Sequence, residues 1–74
     1  MNSEVLKKVR DLVLEMEAQS IVHEEMIKIM NSMNVPGTMA QQHAQQKAII
    51  EAQLNLNVLT IANLKDRIKS EENK

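Results

Sequence analysis

The sequence predicts an all-α fold: an antiparallel two-helix hairpin that oligomerises into a four-helix or larger bundle. Three observations lead there. Pro36-Gly37 is the one strong helix break and falls near the midpoint of the 74 residues. The residues on either side carry apolar positions alternately three and four apart, the period of a helix–helix seam. The apolar positions also cover more of each helix than one neighbour can hide.

The first helix is expected over about residues 3–33 on this spacing. Ser3 or Asn2 can cap its start, with Glu4 favourable in the first turn. Its seam reads Leu6, Val9, Val13, Met16, Ser20, His23, Ile27 and Met30. It should end near Met33 or Asn34, because a residue before proline, here Val35, is pushed out of the α region. A turn over 34–37 follows, with Gly37 free to adopt a turn conformation.

The second helix is expected over about residues 38–70, opened by a Thr38-x-x-Gln41 capping box. Its seam reads Ala40, His43, Lys47, Ile50, Leu54, Asn57, Ile61, Leu64 and Ile68. Lys65, Arg67 and Lys69 lie near its C-terminus, where cations oppose the helix dipole favourably. The last four residues, Glu71-Glu72-Asn73-Lys74, are expected to fray. The whole chain, 1–74, reads as a single helical-hairpin domain. Folding at the break pairs residues whose numbers sum to about 73–74 in an antiparallel helix pair. Leu6 then meets Ile68, Val9 meets Leu64, Val13 meets Ile61, and Met30 meets His43.

A pair of helices this short is hard to stabilise by itself. A chain of this size seldom builds a sufficient core without staples or self-association. Cys, Phe, Tyr and Trp are all absent, so neither disulfides nor aromatic anchors contribute. On the second helix Ile49, Ala52, Leu56 and Leu59 face away from the seam, and on the first Leu14, Ala18 and Ile21 do so. Leu14, Ile21, Ile49, Ala52, Leu56 and Leu59 are therefore the candidate oligomer interface. Ala40, Ala44, Ala48 and Ala52 form a ridge of small residues that permits close helix approach. The methionines near the break can fill irregular space opposite them.

Polar residues interrupt the seam at Ser20, His23 and Asn57. Buried polar seam residues can set the register of an assembly, and a hydrogen bond from His23 of one chain to Asn57 of another in an antiparallel dimer is the expected form. The two histidines make no metal pair, since neither belongs to a His-x3-His or Glu-x-x-His spacing with further carboxylates on the same face. No metal or cofactor site is expected.

The formal net charge of −1 predicts no generic attraction to nucleic acid or to an anionic membrane. Lys7, Lys8, Arg10, Lys65, Arg67 and Lys69 nevertheless converge at the end of the hairpin that holds the termini, and they are the candidate contacts for an anion or nucleic acid. Acidic residues share that end, with Glu4–Lys8 and Arg67–Glu71 at i,i+4 spacing. No aromatic is present to stack a base, so nucleic acid is a possible but not a favoured partner. There is no Cys nucleophile, no Gly-rich phosphate loop and no serine elbow, and the chain is read as non-enzymatic.

No apolar run reaches the ~20 residues that span a bilayer, and the expected setting is cytoplasmic, with no membrane partner. The expected function is interaction: a small oligomeric regulator, adaptor or inhibitor that binds itself and another protein, of a kind that suits an accessory protein of a phage or other mobile element. Two alternatives follow from the same residues. One is a nucleic-acid-binding regulator that uses the basic end. The other is a small-ligand-sequestering oligomer with sites between subunits, contacted by Arg10, Arg67 or the histidines.

Overall fold

The computed structural model describes residues Met1–Lys74 and contains two helices and no strand. Helix α1 spans Ser3–Ser32 and helix α2 spans Ala40–Glu72, joined by an extended segment and a single 3₁₀ turn over Gly37–Met39. The helices fold back on one another to give a rod of 56 × 14 × 14 Å. Its radius of gyration is 16.9 Å, against about 11 Å for a compact domain of this length on the scaling R ≈ 2.2·N^0.38.

Asn2 is the N-cap of α1. Its Oδ1 accepts the backbone N–H of Val5 at 2.8 Å, satisfying one of the donors a helix start leaves free. At the other end Met33 is extended and its N–H returns to the carbonyl of Met30 at 3.3 Å. Pro36 accepts from Met39 N–H at 2.9 Å and so closes the 3₁₀ turn.

The entry to α2 departs from the sequence expectation. Thr38 lies inside the 3₁₀ turn, α2 begins only at Ala40, and no side chain caps it, so the Thr38–Gln41 capping box is not made. A capping residue needs an extended backbone to turn its hydroxyl toward the next N–H groups, and a 3₁₀ turn does not provide that. Gly37 does not adopt a positive φ either. The reversal comes from the extended residues before the turn, and the glycine's freedom is unused.

The seam matches the expected spacing from Leu6 to Met30 and from His43 to Ile68, whose members are all buried or half-buried. Ala40 is the exception and is exposed. The register agrees with the expected pairing near the loop, where His43 Nε2 stands 3.1 Å from the carbonyl oxygen of Met30. The C-terminal end differs. Residues 71 and 72 are helical, and the Glu71 side chain is 4% exposed, gripped by the N-terminal ammonium, Arg67 and Lys74. Ion pairs, one of them to the far end of the chain, hold an end that the apolar seam alone would leave to fray.

Candidate interaction surface

Very little of the chain is hidden. Three of 74 residues are buried: Val13 at 5% exposure, Ser20 at 8% and Asn57 at 4%. On the hairpin register they surround one layer, since Met16 lies level with Asn57 and Val13 and Ser20 stand a turn to either side.

The polar members of the layer are satisfied unequally. Ser20 Oγ donates to the carbonyl of Met16 at 2.9 Å, the i−4 back-bond that serines make inside helices, so it needs no partner elsewhere. Asn57 Oδ1 accepts from Gln53 Nε2 at 3.1 Å, but Asn57 Nδ2 has no acceptor. His23 Nδ1 is likewise buried without a partner. These are the only two orphaned buried side-chain nitrogen or oxygen atoms in the chain.

The two long sides of the hairpin differ in chemistry. On one, cross-helix ion pairs join Arg10 to Glu72 and Lys65 to Glu17, the latter at 3.5 Å. Glu24 and Glu51 occupy the equivalent positions farther along this ionic side, and Lys47 pairs with Glu51 at 3.7 Å. The other side has no cross-helix ion pair. There α1 presents Val5, Leu12, Gln19, Met26 and Met33, one every seven residues, and α2 presents Gln46, Gln53, Thr60 and Arg67 at the same interval. Gln53 belongs to this open side, and its bond to Asn57 shows that Asn57 borders it.

Among the residues read from the sequence as an oligomer interface, Leu14, Ile21, Ile49, Leu56 and Leu59 are exposed large apolar residues, and Ala52 is exposed as well. They do not form one face. Leu14 and Ile21 stand four residues beyond Arg10 and Glu17 and belong to the ionic side. Ile49 and Leu56 edge the open side, and Ala52 and Leu59 lie on the back of α2. The expected interface leaves out Val5 and Leu12, which adjoin the seam, and Met26 and Met33, expected only to fill space near the break; all four are exposed. The seven-residue interval was the signal that could have distinguished them.

Most of the basic cluster is neutralised. Lys8 pairs with Glu4 at 3.8 Å, Arg67 with Glu71 at 3.3 Å, Arg10 with Glu72 and Lys65 with Glu17, which leaves Lys7 and Lys69 without an acidic partner. Glu71 sits at the centre of this end. Partial desolvation raises its pKa, but the hydrogen bond from the N-terminal ammonium and the charges of Lys74 and that ammonium outweigh it. Glu71 therefore titrates below the ordinary glutamate value. The one cavity lies at the opposite end, about 200 Å³ between Val35, Pro36, Met39 and His43, below the ~300–1,000 Å³ of usual small-ligand pockets. No group of His, Asp or Glu is spaced to hold a metal, and no helix is long and apolar enough to cross a membrane.

The fold and surface define an exposed helical hairpin with an ionic side and an open, largely uncharged side. No protein-family model, curated protein or solved structure matches the chain.

Proposed function

We propose that the chain is a non-enzymatic interaction protein that works as an oligomer, binding through the helix faces the hairpin leaves uncovered. The supporting observation is the surface itself. The hairpin exposes 5697 Å² at 8.4 kDa, whereas a compact monomer of that mass exposes about 4,600 Å² on the scaling A ≈ 6.3·M^0.73. The surplus, about 1,100 Å², exceeds the ~800 Å² that each partner contributes to a standard protein–protein interface. Exposed Leu12, Ile29, Ile49 and Leu56 make much of it apolar. Large exposed apolar surface on a small chain is typical of association.

The assembled bundle then presents its charged outer faces to another macromolecule. The pairing of Arg10, Lys8, Lys65 and Arg67 with carboxylates favours a protein partner over a nucleic acid at the basic end.

Sedimentation equilibrium across a range of concentrations tests the reading. A mass at or above twice 8.4 kDa at micromolar concentration is expected. A stable, folded monomer at high concentration sinks the proposal, since the exposed apolar surface would then have no use in self-association.

A further inference from the structure

We infer that the open side binds a second copy of this chain, with α1 stacked antiparallel on α1′, the two loops at opposite ends, and Asn57 of each chain hydrogen-bonded to His23 of the other. The inference rests on the self-association proposed above and names its face, its arrangement and its polar contact.

The choice of side comes from charge. A second copy on the ionic side would bury Arg10, Glu17, Lys65 and Glu72 in a low-dielectric core, and desolvating ion pairs is costly even when they stay paired. The two facing rows of the open side carry a single formal charge, Arg67, placed near the end of the rod where it stays solvated.

The arrangement comes from symmetry. Face-to-face packing of two copies leaves two choices of twofold axis, and both are isologous. With the axis along the rod, both loops lie at one end and α1 stacks on α2′. Leu12 would then face Thr60′ and Met26 would face Gln46′, an apolar side chain against a polar one each time. With the axis across the rod, the loops lie at opposite ends and each helix stacks on its own copy, inverted about its middle. On α1 the row Val5, Leu12, Gln19, Met26, Met33 is symmetric about Gln19. Leu12 meets Met26′, Val5 meets Met33′, and Gln19 meets Gln19′. On α2 the row is symmetric about Gln53, with Thr60 meeting Gln46′. Like meets like along the row except at Arg67, which reaches the level of Met39′ in the turn before α2.

The two orphaned atoms select the same arrangement. Within one hairpin His23 lies level with Ile50 and Asn57 level with Met16. That separates them by seven residues, or about 10 Å at ~1.5 Å per residue, so they cannot satisfy each other in the same chain. The axis along the rod preserves that separation between chains. The axis across the rod inverts it and brings His23′ to the level of Asn57. Both residues border the open side on the seven-residue spacing, and their orphaned atoms are covered by their own hairpin, so each side chain turns toward the open side as the second copy docks. Asn57 Nδ2 is a donor without an acceptor, and His23 Nδ1 is a buried ring nitrogen without a partner. With the imidazole proton on Nε2, Nδ1 accepts from Nδ2, and the twofold makes the bond twice.

Single-cysteine variants test the arrangement cleanly, because the chain has no cysteine of its own. Gln19→Cys alone, and Leu12→Cys mixed with Met26→Cys, should form interchain disulfides rapidly under mild oxidation, while Leu12→Cys mixed with Thr60→Cys should not. The reverse pattern in a chain that is dimeric by sedimentation overturns the arrangement and leaves the self-association reading intact. A monomeric chain sinks both. The polar contact is tested separately by the dimer dissociation constants of His23→Ala, Asn57→Ala and the double variant. Each single change is expected to weaken the dimer on the order of tenfold, from two bonds lost, and the double variant is expected to match the singles. Multiplicative effects overturn the bond. Should the alanine variants lose helicity, the disulfide pattern still decides the arrangement.

Discussion

His43, in the first turn of α2, places its Nε2 3.1 Å from the carbonyl oxygen of Met30, two residues before the end of α1 at Ser32. That carbonyl also accepts the N–H of Met33, so one oxygen holds the end of α1 and the start of α2 together. The contact matters more because α2 has no side-chain cap. Only the imidazole tautomer with its proton on Nε2, or the imidazolium, can donate here. His43→Ala is expected to cost about 1 kcal/mol, the usual range of such a bond being ~0.5–1.5 kcal/mol, and to speed amide exchange in residues 30–43. Unchanged exchange at the loop would show that the contact does not hold the helix ends.

Val13 is the one buried apolar residue, and its truncation should be felt more than any exposed change. Val13→Ala loses two methyl-sized groups at ~0.8 kcal/mol each, and the better helix propensity of alanine returns about 0.5 kcal/mol. The net loss expected in urea denaturation is about 1–2 kcal/mol. Leu14→Ala, one residue along and exposed on the ionic side, is expected to stay within about ±0.5 kcal/mol. An equal effect at both positions would count against the seam register and against the placement of Leu14 outside the dimer core.

The Arg10–Glu72 pair joins the helices at the open end of the hairpin, with both side chains about half exposed. Exposed pairs are worth ~0.2–1 kcal/mol and weaken as salt rises. Arg10→Glu should lower stability, and adding Glu72→Arg should recover part of the loss at low salt and little of it in molar salt. A double variant no more stable than Arg10→Glu alone would show that the pair contributes nothing.

Glu71 gives the terminal end an acid dependence. Its folded-state pKa is depressed, so it binds protons less readily folded than unfolded. Its stabilising contribution is complete above the unfolded value and is lost as pH falls through the folded one. Acidification should therefore release the last turn of α2 before the seam around Val13, read as amide-exchange protection of residues 69–73. Glu71→Gln should remove that pH dependence and leave the end loosened at every pH. A wild-type end that exchanges alike at neutral and acid pH would contradict the assignment.

Much of the hairpin was legible in the linear chain. The alternation of three and four along Leu6–Met30 and His43–Ile68 forces one stripe on each helix, and Pro36 excludes a continuous helix, so antiparallel pairing with Met30 beside His43 follows from local geometry. The entry to α2 was not legible. Thr38-x-x-Gln41 has the composition of a capping box, but the backbone entering from Pro36 forms a 3₁₀ turn instead, and capping depends on that backbone. The ordered end at Glu71 was hidden for a related reason. Its ammonium partner lies 70 residues away in sequence, and only closure of the hairpin brings the two together.

The interaction surface divides the same way. Residue spacing by itself determined that apolar groups outnumber what one helix neighbour can cover, because each residue's angle on a helix is set by its number. Only the folded pair decided which of those groups share a side. The cross-helix ion pairs of Arg10 and Lys65 mark one side as ionic and so separate Leu14 and Ile21 from Ile49 and Leu56, which a wheel drawn for either helix alone cannot do. The same holds for Asn57 and His23. Their residue types are visible in the chain, but whether Nδ2 and Nδ1 find partners depends on what surrounds them once the helices have closed.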